Sequence, residues 1–186
     1  DHLDLPSLKA LNAQRGGPPL FLMPLGVGDW LREQGIDHVA QLDWWQSRSV
    51  GGTKMHFVPV QHWSARSLFD RFETLWGGWV IETREGGQPL KLFFTGDTGY
   101  SKDFTDIQRR FGDMDFAMIP IGAYEPRWFM RNQHVDPDEA VQIHRDLRAG
   151  RSLGIHWGAF ELTDESLDEP PQGLRQALKA HAVDEQ

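Results

Sequence analysis

The sequence predicts an α/β (α+β) fold in which sheets carry helices on their outer faces, and three observations lead there. Apolar strand-like runs dominate the first half of the chain, strand and helix signals alternate in the second, and no internal repeat or low-complexity tract interrupts them. At 186 residues with 39% hydrophobic content, the chain can bury one substantial core. Residues 1–186 are read as a single domain.

Each element has its own signal. Gly16 to Pro19 is a turn-forming cluster, and Leu20 to Pro24 after it reads as a short buried strand. Asp29 to Gln34 is a brief helix ended by Gly35. Val39 to Trp44 and Met55 to Val60 are expected to be strands separated by a turn at Gly51-Gly52. Trp79 to Thr83 and Leu90 to Thr95, with Gly86-Gly87 between them, have the pattern of a β-hairpin. Phe104 to Phe111 has helical spacing, and Phe116 to Ile121 is a continuous apolar strand. Asp136-Pro137-Asp138-Glu139 opens a helix that runs to about Leu147, with Asp as N-cap, Pro at the first helical position and acids in the first turn. Ser152 to His156 is the last strand, and Pro170-Pro171 leads into a final helix, Gly173 to Ala180.

Composition excludes several classes of function. Twenty-seven acidic against 19 basic residues give a net charge of −8, which argues against nucleic acid as a partner, because phosphate-backbone affinity comes largely from Lys and Arg. The absence of cysteine removes disulfides, thiolate catalysis and Cys-type zinc sites, so any metal must be held by nitrogen and oxygen. No apolar run approaches the roughly 18 residues of a membrane span, and no signal-type segment opens the chain. The expectation is a soluble chain of open compartment, cytoplasmic or peripherally bound to a membrane. Eight tryptophans are many for this length; most are read as core, and some of those near the site motifs as the wall of a greasy cleft.

Three hydrophobic runs end in metal-binding side chains. Phe93-Phe94-Thr95-Gly96-Asp97-Thr98-Gly99 stops at a carboxylate between glycines, while Phe57 to Trp63 and Ser152 to Gly158 run into His62 and His156. With Asp1 and His2 they supply three histidines and two aspartates. A lone histidine at a strand end is more often a hydrogen-bonded structural residue, and Asp97 alone could simply hold a turn. The coincidence of three such strand ends is what points to a metal. Asp97 can bridge two ions with its two oxygens, and ions roughly 3.5–4 Å apart polarise an ester and activate a water. The implied chemistry is hydrolysis. His38, His56, His144 and His181 lack that context and are read as surface or packing residues.

These motifs carry a family resemblance. Asp1-His2-Leu3-Asp4, Gln61-His62-Trp63, Phe94 to Tyr100, Pro120 to Met130, Gln133-His134-Val135-Asp136-Pro137 and Ile155-His156-Trp157-Gly158 resemble the metallo-β-lactamase superfamily. Within it they are most similar to N-acylphosphatidylethanolamine-hydrolysing phospholipase D and its bacterial relatives, from residue 1 to about Pro171. The resemblance implies an αββα sandwich, N-terminally incomplete in this chain. The family motif His-x-His-x-Asp-His is represented by its last two residues, Asp1 and His2, so its first two histidines would lie upstream. With them the site would hold two Zn2+: one at the upstream histidines, His62 and Asp97, the other at Asp1, His2, Asp97 and His156.

Lacking initial strands, the sandwich is expected to expose an apolar sheet edge unless another chain covers it, so an oligomer is possible. The implied reaction is metal-dependent attack of hydroxide on a phosphodiester, with Asp97 positioning the metals, to give phosphatidic acid and an N-acylethanolamine. Glu125, Arg127 and His134 are expected near the substrate, Arg127 on a phosphate oxygen and His134 beside it or supporting a metal ligand. Simpler alternatives are an Arg127–Glu125 surface ion pair and a helix-capping His134. The partner is then a phospholipid or other phosphodiester, with peripheral membrane contact. A related metallohydrolase acting on another ester, lactone or sugar phosphate, and an inactive metal-free fragment, are the alternatives in function.

Overall fold

The computed structural model describes residues 2–184. Its first helix, α1 (Leu5–Asn12), was not anticipated, although Asp4 caps it by accepting from the backbone N–H of Ser7 at 2.8 Å. Asp4 had been read only as part of the opening motif. Strands β1 (Phe21–Pro24) and β2 (Val39–Leu42) pair in parallel around the crossover helix α2 (Val27–Glu33), forming a two-stranded sheet. Met23, Leu31 and Ile36 bury themselves between these strands and helices, with Leu8 of α1 packed against them.

The second sheet has six strands in the order β3 (Ser47–Val50), β4 (Thr53–Val58), β5 (Gly78–Glu85), β6 (Gln88–Phe94), β7 (Phe116–Pro120) and β8 (Arg151–Ile155). The expected strand through Trp44 stops at Leu42, because residues 43–46 form a tight turn in which Trp45 takes a positive φ of 69°. The Gly51-Gly52 turn joins β3, a strand missed in the sequence, to β4. In both two-residue hairpins, Gly51-Gly52 and Gly86-Gly87, each glycine has positive φ, the mirror-image turn that suits strand twist.

Strand direction fixes the rest. Strands β4, β5 and β6 are successively antiparallel, and β6, β7 and β8 are parallel, so β4, β6, β7 and β8 all point the same way. Their C-terminal ends therefore emerge along one side of the sheet.

One pleat row, His56–Val80–Phe93–Ala117, faces helices α3 (Asp103–Phe111) and α5 (Pro137–Asp146), where Phe104, Ile107, Ile143 and Leu147 complete the main core. The α5 start follows the sequence signal, with a reciprocal capping box between Asp136 and Glu139. Helix α6 (Glu169–Ala180) packs on α5, and a single turn, α4 (Arg127–Met130), precedes it.

The adjacent row, Phe57–Trp79–Phe94–Met118–Leu153, turns to the other face and becomes more exposed along its length, from a buried Phe57 to Phe94 at 39% and Leu153 at 53%. This face therefore carries exposed apolar side chains, Leu153 among them on the edge strand β8. The β3 edge itself is polar, with Ser47, Arg48 and Ser49. Among the described residues no helix is long and apolar enough to cross a membrane.

Glu165, buried in the loop after β8, fastens the loop after β7 by accepting from the backbone N–H groups of Ala123 (2.6 Å), Tyr124 (3.2 Å) and Glu125 (3.0 Å). Burial works to raise its carboxyl pKa, but bonds from the Glu125 N–H, the Thr163 side chain and Ala123 N–H prevail and hold it below the usual range. Glu165→Ala strands three donors and is expected to lower stability by about 1–3 kcal/mol in urea unfolding. A depressed folded-state pKa gives stability above the unfolded-state value that is lost as pH falls through the folded one. The difference in unfolding midpoint between wild type and Glu165→Gln should therefore shrink on acidification.

Candidate metal centre

The common direction of β4, β6 and β8 brings the strand-end residues together. His62 lies four residues past β4, Asp97 three past β6, and His156 directly after β8. His2, just before α1, completes the group, its Nε2 2.9 Å from Asp97 Oδ2, while His156 Nε2 is 3.3 Å from Asp97 Oδ1. Each carboxylate oxygen thus faces a different imidazole. Two sets of side chains have mutually close ligand atoms, His2–Asp97–His156 and His62–Asp97–His134, all within 4.8 Å in each set, and Asp97 is common to both. Asp1 lies outside the described residues.

The loops are held in register by a few hydrogen bonds and one close approach. Thr98, fully buried, accepts from the Gln61 N–H at 3.1 Å, donates to the Gly99 carbonyl, and receives the Val135 N–H on its own carbonyl at 2.8 Å. It therefore ties the loop of His62 and that of His134 to the loop of Asp97. His156 adopts φ 58°, a left-handed conformation that costs a non-glycine residue about 1–2 kcal/mol. Gly122 allows this turn to approach, since a Cβ there would lie 2.3 Å from the His156 carbonyl oxygen.

Proton positions follow from the partners. His62 Nδ1 lies 3.0 Å from the Trp63 carbonyl, which can only accept, so Nδ1 carries the hydrogen and Nε2 presents a lone pair. Burial lowers the His62 pKa, and it lowers that of His134 to about 4, with the other imidazoles adding repulsion while the Asp97 charge opposes it. Both rings are neutral at pH 7. His62 Nε2, His134 Nδ1 and His156 Nδ1 are buried without a hydrogen-bond partner among the described residues. Unpaired imidazole nitrogens around one carboxylate are the donor set of a divalent cation that accepts N and O ligands.

His134 is the residue the sequence placed least well. Its ring stands 5.3 Å from His62 and 5.4 Å from His156, and the cap of α5 is Asp136 instead. It comes from an irregular loop with no apolar run leading into it, so no periodicity marked it. Arg127 also differs from expectation. Its guanidinium binds the His134 carbonyl at 2.8 Å, Glu139 at 2.7 Å and Asp136 at 3.2 Å, so it braces the His134 loop against α5. Glu125 does not pair with that guanidinium; its carboxylate accepts the Arg127 backbone N–H at 2.9 Å. His56, His144 and His181 bond to Glu82, Ser152 and Asp138, and His38 approaches the Pro18 carbonyl, all away from the centre.

Beside the imidazoles opens a cleft of about 850 Å³ between the two sheets, walled by Met23, Trp30, Trp63, Trp76, Phe94 and Ile155. Of the tryptophans beside the site motifs, Trp63 lines this cleft while Trp44, Trp45, Trp128 and Trp157 do not; Trp30 and Trp76 come from outside those motifs. Gly122→Ala should displace the His156 turn, lowering stability by about 1–3 kcal/mol and reducing bound metal, measured by denaturation and elemental analysis.

Comparison with known proteins agrees with this geometry. Residues 1–157 match the model of the β-lactamase superfamily domain. The chain is 38% identical to N-acyl-phosphatidylethanolamine-hydrolyzing phospholipase D 1 of Caenorhabditis elegans, across 97% of this chain and 52% of that protein. It is also 38% identical to the mitochondrial N-acyl-phosphatidylethanolamine-hydrolyzing phospholipase D of Saccharomyces cerevisiae, across 94% of this chain and 37% of that one. The chain thus spans about half, or less, of the length of these relatives. Among solved structures, an isothiocyanate hydrolase from Delia radicum gut bacteria superposes with a TM-score of 0.67 at 16% identity, covering 98% of this chain and 66% of the other. With most of its length matched and the fold shared, the chain belongs to the β-lactamase superfamily.

Proposed function

We propose that this chain is the metal-binding part of a hydrolase that cleaves phosphodiesters of N-acylated phospholipids in the manner of a phospholipase D. The observation that carries the hydrolase reading is Asp97, the one residue common to two sets of close ligand atoms, His2–Asp97–His156 and His62–Asp97–His134. The donor set fits two divalent ions, with zinc the natural choice for neutral imidazole and carboxylate. His2, Asp97 and His156 would hold one, together with Asp1; His62, Asp97 and His134 would contribute to the other. Ions held there supply Lewis acidity toward phosphoryl oxygens and lower the pKa of a water nucleophile. The lipid specificity is supported by the apolar cleft beside the imidazoles and by the two phospholipase relatives.

The chain's own residues then have defined tasks. Asp97, common to both sets, joins them at one carboxylate. Neutral His62 and His134 offer lone pairs without first losing a proton at pH 7. The tryptophan-lined wall takes acyl chain and excludes water from the phosphorus. In the balanced reaction, water oxygen bonds to phosphorus, the bond from phosphorus to the ethanolamine oxygen breaks, and that oxygen leaves protonated as the N-acylethanolamine. Phosphatidic acid is the other product.

Incubation of the metal-loaded protein with N-acylphosphatidylethanolamine should give phosphatidic acid by mass spectrometry. Cleavage of lactones or sugar phosphates but not of this lipid would move the assignment to another hydrolase of the family. Asp97→Asn should lose both metal and turnover; full activity with normal metal content would remove Asp97 from the centre. His134→Gln should weaken metal affinity by about 10–100-fold, read by competition with a chromophoric chelator.

A further inference from the structure

Residues 64–76, the loop that follows β4 and His62, carry Leu68 at 93% exposure and Phe69 at 91%. Two adjacent large apolar side chains at a loop tip make a contiguous apolar point, the kind of exposure that marks a contact site. Their exposure is imposed by an ordered turn. Asp70 accepts the backbone N–H groups of Arg66 (3.0 Å) and Ser67 (2.8 Å), and Ser67 Oγ accepts that of Phe69 at 3.2 Å. At the base, Ser64 Oγ donates to the Thr74 carbonyl at 2.6 Å and the Phe72 N–H to the Ser64 carbonyl at 2.9 Å.

We infer that the Leu68–Phe69 tip inserts into a phospholipid bilayer and seats the cleft on the membrane. This rests on the lipid reading of the cleft, and it adds the surface by which that lipid is reached. Three further features favour a bilayer. Ser64, Arg66 and Asp70 line the cleft, so the tip stands at its rim. Arg66 and Arg71 flank the tip, their guanidinium groups 4.1 Å from the Trp30 ring centroid and 4.8 Å from that of Trp63, while the Asp70 charge is turned to backbone N–H groups. Two cations below an apolar tip match a phosphate layer over acyl chains.

The third feature is area. Two side chains bury about 150–250 Å² each at most, below what a stable protein interface needs, whereas a bilayer accepts single side chains. Trp128 of α4 and Phe160, also strongly exposed, stand on the connections that follow β7 and β8, which leave the sheet at the same end as this loop. On a zwitterionic surface Arg66 and Arg71 meet single phosphates and no net charge, so the attraction comes chiefly from the apolar tip and should be nearly independent of salt.

The test is flotation with vesicles of phosphatidylcholine and phosphatidylethanolamine that contain no N-acylated lipid, so that binding is read without turnover. Wild type should float with the vesicles at both low and high salt. Leu68→Ser/Phe69→Ser should partition about tenfold less or worse, with bound metal, unfolding midpoint and hydrolysis of a soluble short-chain phosphodiester unchanged. Wild type that stays with the soluble fraction, or a double variant that floats equally well, would overturn the inference. So would a wild-type dimer that the double substitution dissolves, since the tip would then be covered by a second copy. Failure of the lipid hydrolysis reading would show instead as absent phosphatidic acid with vesicle binding intact.

Discussion

The site depends on one carboxylate in an apolar cleft surrounded by imidazoles. A partly buried carboxylate needs polar neighbours, and Asp97 has an imidazole at each oxygen, His2 on one side and His156 on the other. The same burial that makes Asp97 need partners keeps His62 and His134 neutral, so the cluster is poor in protons and rich in lone pairs. Each buried ring nitrogen without a hydrogen bond costs about 1–3 kcal/mol, which a cation at the centre would relieve where that nitrogen faces it, as proposed for His62. Metal affinity and folding stability are thus linked at this carboxylate.

Around that centre, polar and charged residues serve position. Thr98 binds the loops of His62 and His134 to that of Asp97, Arg127 holds the His134 carbonyl, and Glu165 collects three backbone donors from the loop after β7. The loops are irregular, so their backbone groups find partners in side chains instead of a ladder. The left-handed His156 and the narrow gap at Gly122 show where the fold accepts local strain to aim a ring.

Under the proposed function, the cleft and the loop at its rim would divide the recognition of a lipid. The tryptophan wall would suit an acyl chain, the imidazole cluster a phosphodiester, and the Leu68–Phe69 tip the layer from which both come. The tip stands at the rim of the cleft that the imidazoles line, so a substrate drawn from such a layer would meet the centre without crossing the protein.

The sequence by itself determined the elements with local causes. The Gly51-Gly52 and Gly86-Gly87 turns, the capping box at Asp136 and the apolar runs into His62, Asp97 and His156 are written in residues within a few positions of one another. It also showed that metal, if bound, must be bound by nitrogen and oxygen, since there is no cysteine. What only the tertiary structure decided are the facts that need two distant segments. His134 joins His62 because Thr98 pins their loops together; Arg127 reaches Asp136 and Glu139 only because the chain turns back to the start of α5; and Phe94 and Leu153 share an exposed row only through the pairing of β6, β7 and β8. Helix α1 and strand β3 escaped notice for a related reason. The first buries none of its residues fully and the second is exposed throughout, so neither carries the apolar periodicity from which elements are read.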